Sequence, residues 1–167
     1  MDESINRRRG SVSLDGAWQF LPGPEADGTA RGLHEPDAEW PAAAHEVTAA
    51  HAWQEADRYR EYTGTAWDRR TVTVAPDGDA PVDENTPTDG DRAFLRFDAV
   101  DYETTVYVDG HEVGANHGGY LPFEMEVTDH FSAGEHAIAV AVTDPDDLSE
   151  IPHGKQGDPW YTRVSWI

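Results

Sequence analysis

Alternation of apolar and polar positions dominates the chain from Ala93 onward. In residues 93–100, Leu95, Phe97 and Ala99 fall on one face of an extended strand, and Phe94, Arg96 and Asp98 on the other. Thr105-Val106-Tyr107-Val108 runs into Asp109-Gly110, and Glu112-Val113-Gly114 leaves it. Asp-Gly between two such runs predicts a tight hairpin, because both central residues of the favoured turn take positive φ. Residues 136–142 form a third strand with Ile138, Val140 and Val142 on one face, and residues 12–20 and 69–74 read as two more. No helix-length window keeps a 3.6-residue apolar period.

Turn dipeptides recur at short intervals: Asp15-Gly16, Asp77-Gly78, Asp89-Gly90, Asp109-Gly110, Gly118-Gly119 and Ala133-Gly134. Many short strands with frequent turns predict an all-β sandwich or barrel rather than alternating β and α units. Residues 75–91 hold three Pro, two Gly and six Asp or Glu, and are expected to form an acidic loop insertion. Residues 1–10 are expected to be a flexible arm and residues 23–39 another loop, which leaves 11–167 as the domain.

Composition sharpens this picture. At 167 residues the chain suits one domain, which should bury about 70% of its unfolded surface. The formal charge of -21 makes the phosphate backbone of a nucleic acid a poor partner. Lys155 is the only lysine, and acidic residues are spread through every segment. Such a surface fits a halophilic protein, since concentrated salt screens its self-repulsion. The chain has no cysteine, which excludes disulfides and Cys-ligated zinc. No apolar stretch follows Arg7-Arg8-Arg9 in the manner of a secretory signal, and none approaches the length of a membrane span. The expectation is a cytoplasmic protein with no membrane partner.

Little in the chain matches a catalytic motif. His34-Glu35, His45-Glu46 and His111-Glu112 each begin like a zinc-protease helix, but none has the second His in place. They are expected to be loop histidines, and no metal or cofactor is expected. The chain also lacks a G-x-S-x-G turn and a phosphate loop ending in Lys-Ser or Lys-Thr. With 33 acidic residues, some carboxylate pair will reach glycosidase spacing by chance, so proximity alone says little.

Two segments stand out. In residues 116–124, Gly118 and Gly119 precede Tyr120, Pro122 and Phe123, predicting a tight loop with rings packed close to backbone. Residues 152–161 gather Lys155, Gln156, Asp158, Trp160 and Tyr161. Aromatic faces meet the C–H surfaces of sugars and planar polar groups meet their hydroxyls, and this loop supplies both. Alternatively, Trp160 and Tyr161 open a final strand and pack in the core.

An ordered set of motifs resembles one family. Leu14-Asp15-Gly16-Ala17-Trp18-Gln19-Phe20 resembles an opening L-x-G-x-W-x-F strand, and Ala50-His51-Ala52-Trp53 a V-P-x-x-W segment. Residues 62–70 resemble Y-x-G-x-x-W-Y-R-R with Asp68 where the pattern has Tyr. Residues 95–101 resemble L-R-F-x-G-V-D, and residues 106–114 V-x-V-N-G-x-x-V-G. Residues 117–128 resemble H-x-G-G-Y-x-P-F-x-x-D-I-T. Together they are similar to the N-terminal sugar-binding domain of family 2 glycoside hydrolases, the β-galactosidase, β-glucuronidase and β-mannosidase group.

The resemblance implies a jelly-roll β-sandwich of the galactose-binding-domain type. It implies carbohydrate as ligand and, as partner, the catalytic TIM barrel of the same or a split polypeptide. The two catalytic glutamates of the family belong to that barrel, and no Glu here matches their motifs, so no catalytic residue is carried over. In several members an Asp just before an S-G-I-W or S-G-I-F segment helps bind the sugar. Asp158 is the nearest match, although it stands too early relative to Ser165, and the Gly expected after Ser165 is absent. The chain thus resembles a member ending before the immunoglobulin-like and barrel domains. Lys155, Gln156, Asp158 and Trp160 are expected to face sugar or barrel, and Gly118, Gly119, Tyr120, Pro122 and Phe123 to shape the neighbouring loop. The rival expectations are a docking domain with no sugar contact and a truncated fragment.

Overall fold

The computed structural model describes residues 13–23, 28–76 and 92–145. The arm at 1–10, residues 77–91 of the acidic insertion, and Lys155, Gln156, Asp158 and Trp160 lie outside the described residues. The strands are β1 (Gly16–Pro22), β2 (His45–Ala49), β3 (Gly64–Val74), β4 (Phe94–Phe97), β5 (Glu103–Val108), β6 (His111–His117), β7 (Phe123–Glu126) and β8 (Gly134–Asp144). They form a six-stranded antiparallel sheet in the order β2-β1-β3-β8-β5-β6 and a two-stranded sheet of β4 and β7. The predicted all-β jelly-roll sandwich is the observed fold.

The pattern-based strands have the expected faces. Ile138, Val140 and Val142 of β8 are fully buried on the inner face, beside Val106 and Val108 of β5 and Trp18 and Phe20 of β1. Leu95 of β4 and Met125 of β7 close on them from the second sheet, and Trp53 adds to the cover. Each of these side chains contributes roughly 1.5–3 kcal/mol by leaving water. Met125 comes so near the main sheet that a Cβ at Gly114 would stand 2.8 Å from its sulfur. Glycine at that position lets the two sheets meet. The Asp109-Gly110 hairpin also forms as predicted, with φ of 48° and 82° at its two central residues.

The second layer is not all strand. Residues 51–62 cross the inner face beside β1, with 3-10 turns at Trp53–Glu55 and Asp57–Tyr59. Trp53 and Tyr59 set their rings edge-on to Phe20, and Trp53 packs on Tyr62.

The outer face of the main sheet is covered too. Leu21, Trp67, Tyr107 and Ala139 form a second buried cluster with Leu33, against which Trp40 and Ala44 pack. The predicted loop at 23–39 is therefore, from Gly28 onward, part of a lid over the sheet. Arg69 fastens that lid, donating to the Ala38 carbonyl at 2.9 Å and lying 4.7 Å over the Trp40 ring.

Candidate functional site at the loop end of the sandwich

The registers Gly64↔Asp144, Glu103↔Thr143 and Glu103↔His117 bring the start of β3, the start of β5 and the ends of β6 and β8 to one end of the sandwich. The 118–122 loop sits there. Gly118 N–H donates to the Tyr102 carbonyl at 2.9 Å, and the Asn116 side-chain amide donates to the Gly118 carbonyl at 3.3 Å. Gly118 has φ of 111° with open space where a side chain would be. A side chain at Gly119 would collide with the Asp101 carboxylate. The two glycines thus bend the loop and let its backbone lie directly against Asp101.

The aromatic residues of this loop divide. Phe123 is the first residue of β7 rather than part of the loop, and its ring stacks on Phe97 with centroids 5.0 Å apart. Tyr120 is 61% exposed and Leu121 76% exposed, and Pro122 is exposed as well. Tyr120 points outward instead of filling the loop.

The polar centre of this end is Asp101. Its pKa is pushed up to about 6, first by burial and then by the charge of Asp144. No described residue donates a hydrogen bond to it. Asp144 is buried, and the Gln54 amide donates to its Oδ2 at 3.4 Å. The half-buried carboxylate can accept hydrogen bonds from hydroxyl groups, and the exposed ring of Tyr120, next in sequence to the Gly119 that lies against it, offers an apolar face.

A second polar pair lies deeper. Asp68 stands on the inner face of β3, opposite Phe20 and Val140, and is 1% exposed. Its Oδ1 is 3.4 Å from Nε2 of His51, and its Oδ2 has no partner among the described residues. Burial pushes its pKa up to about 6, against the opposing pull of His51 and His45. Only the departure from the Tyr of the resembling motif singled Asp68 out in the sequence, and Asp101, Asp144 and Gln54 carried no motif of their own beyond the V-D of that pattern.

The histidine expectation needs correction. His34 lies in the lid, but His45 and His111 are on β2 and β6 rather than in loops. His45 meets Phe20 across the β1–β2 ladder, where an imidazole edge packs as well as an apolar ring. Among the described residues, no group of three or more His, Cys, Asp or Glu could hold a metal ion.

Comparison with known proteins agrees with this architecture. Residues 12–161 match the family model described as glycosyl hydrolases family 2, sugar binding domain. The chain is 25% identical over 138 residues to a β-glucuronidase of Formosa agariphila, covering 75% of this chain and 12% of that protein. It is 38% identical over 65 residues to a β-galactosidase of Thermoanaerobacter pseudethanolicus, covering 38% of this chain and 9% of that protein. A solved β-glucuronidase structure from Ruminococcus gnavus superposes with a TM-score of 0.70 at 22% identity, over 86% of this chain and 22% of that one. The chain thus spans less than a quarter of these relatives. Since the family model covers nearly the whole length, the chain belongs to the sugar-binding domain family of the family 2 glycosyl hydrolases.

Proposed function

We propose that this domain is the carbohydrate-contacting accessory part of a β-glycosidase that hydrolyses O-glycosidic bonds, with the catalytic barrel supplied by the same or a split polypeptide. The observation that carries the reading is convergence at the loop end. The 118–123 loop, the Asp101–Asp144 centre and the end of β8 share it, and the chain bearing Lys155, Gln156, Asp158 and Trp160 continues from there. In this proposal Asp101 and Asp158 accept sugar hydroxyls, Gln156 and Lys155 contact ring or hydroxyl oxygens, and Tyr120 and Trp160 cover C–H faces. The names of the relatives make β-glucuronides and β-galactosides the first ligands to try.

The test is a titration of the isotope-labelled chain with galactose, glucuronate and mannose. Binding should move the amides of Gly118, Gly119, Tyr120, Gln156 and Asp158. If none moves with any sugar, the docking reading takes over. That second reading is favoured by one observation, the exposure of Leu121 beside Tyr120, which a barrel surface would cover. The proposal also includes a high-salt working environment, supported by the -21 charge and the single lysine.

A further inference from the structure

The buried pair and the loop end are joined by one short piece of chain. His51 is held by Asp68 at 3.4 Å, and Gln54, in the adjoining 3-10 turn, holds Asp144 at 3.4 Å. Asp144 faces Asp101, which lies against Gly119. Between the two holds stand only Ala52 and Trp53, both buried. So short a link, pinned on both sides and packed in the core, transmits a displacement at one end to the other.

We infer that residues 51–55 form a proton-controlled strap, through which ionisation of Asp68 beside His51 sets the position of the 118–121 loop. The inference rests on the loop end being the contact site proposed above, and it names how that site is regulated.

Asp68 faces His51 from the strap and His45 from β2; Arg58 donates to His45 at 2.8 Å, and Arg70 of the same strand is engaged by the Leu14 and Asp15 carbonyls. Asp101 faces Asp144, with the exposed Glu103 and His117 pair on the adjacent strand ends. Both aspartates hold their protons up to about 6. A folded-state pKa raised above the unfolded value favours the packed arrangement at low pH, and that preference is lost as pH rises through about 6. Ionised Asp68 then draws on His51, the strap moves Gln54 and with it Asp144, and the side chain of Asp101 under Gly119 shifts with them.

Amide and indole shifts of the whole chain, followed from about pH 4.5 to about pH 8, test this. The Trp53 indole and the Gly119 and Tyr120 amides should titrate with midpoints near 6. In Asp68→Asn the Gly119 midpoint should move although the substitution is remote from it. In Asp101→Asn, which removes the titration next to Gly119, the Gly119 and Tyr120 amides should still follow the Trp53 indole through the strap; a loop that stops titrating reports Asp101 alone and overturns the strap. Gln54→Ala leaves the buried pair intact and should give a Trp53 indole that titrates with a Gly119 amide that no longer follows it. If Asp68→Asn does not fold, this variant carries the test. An identical Gly119 titration in wild type and Gln54→Ala, or none in wild type, overturns the strap. Sugar binding is scored separately, so a coupled loop that ignores every sugar overturns the contact reading alone.

Discussion

His136 and Asp109 are joined at the turn of the β5–β6 hairpin, with Nδ1 of the imidazole 2.6 Å from Oδ2 of the carboxylate. The other ring nitrogen lies 2.6 Å from the Ser132 carbonyl, and Phe131 stacks on the ring at 5.2 Å. Both partners of the ring are acceptors, so the site favours the imidazolium, whose two N–H groups can donate to both. Asp109 completes the joint by accepting the Ala137 N–H at 2.8 Å through its second oxygen. The turn that the sequence pattern marks as a hairpin is thus tied by charge to β8.

The pH dependence follows. Burial pulls the His136 pKa down, but the Ser132 carbonyl and the Asp109 carboxylate outweigh it and the net shift is upward. A raised folded-state pKa means the contribution is full below the unfolded value and is lost as pH climbs through the folded one. Denaturant melts should therefore show stability falling as pH rises above the ordinary imidazole value of about 6.5 and through the raised folded one. Asp109→Asn, which restores the residue of the resembling hairpin motif, should cost about 1–2 kcal/mol at about pH 6 and flatten that fall. An unchanged slope in Asp109→Asn would remove His136 as its source.

How much of this was legible in the sequence depended on whether one side of a strand was wet. On β4 the alternation holds, with Leu95 inside and Phe94 and Arg96 outside, so the pattern could be read directly. On β3 the adjacent Ala66, Trp67 and Asp68 are all buried, because the core covers one face and the 28–44 lid the other. Period-2 reasoning assumes a solvated face, so only the outer part of β3, residues 69–74, was recognisable as strand. The short β2 and β7 were missed for a different reason. His45-Glu46-Val47-Thr48-Ala49 and Phe123-Glu124-Met125-Glu126 are too brief to separate from loop by pattern alone. At the candidate site, the two glycines signalled a bend, while the meeting of Asp101 with Asp144 is set by strand register and has no local signature.

The lid makes its own prediction. A Cβ at Gly28 would run into the indole of Trp67, so Gly28→Ala has to push the lid off the sheet or turn the indole. Overpacking of this kind costs typically about 1–3 kcal/mol. Thermal melts of Gly28→Ala should show that loss together with a shifted tryptophan emission spectrum. A variant as stable as wild type would mean that residues 28–44 lie loosely on the sheet.

Arg69 holds the same lid by shape as much as by charge. It donates twice to the Gln19 amide oxygen, at 3.0 and 3.3 Å, besides its contacts to Ala38 and Trp40. A lysine keeps the charge but loses the forked donors and the planar stack, so Arg69→Lys should cost about 1 kcal/mol or more. Amide exchange at Ala38 and Trp40 should quicken in the variant. Exchange equal to wild type would mean the lid is held by Leu33 and Trp67 alone.

Salt separates the working environment from the fold. The described arginines do little to offset the acidic surface. Arg60 meets Asp57, Arg92 meets Glu126 at 2.7 Å and Arg96 meets Asp98 at 3.2 Å, all between exposed side chains. Exposed pairs of this kind are worth about 0–1 kcal/mol each and weaken in salt. Arg69 and Arg70 donate to backbone carbonyls and an amide instead. Repulsion among the remaining carboxylates is long-ranged when the screening length is about 10 Å, near 0.1 M salt, and short-ranged when it is about 3 Å, near 1 M. Raising sodium chloride between those limits should lift the melting temperature by roughly 5 °C or more, a gain of one to a few kcal/mol for a chain of this size. Sodium sulfate at matched ionic strength controls for strengthened apolar burial, since sulfate adds that effect and chloride adds little of it. Equal melting temperatures at the two chloride concentrations would sink the high-salt proposal while leaving the sandwich and its loop end untouched.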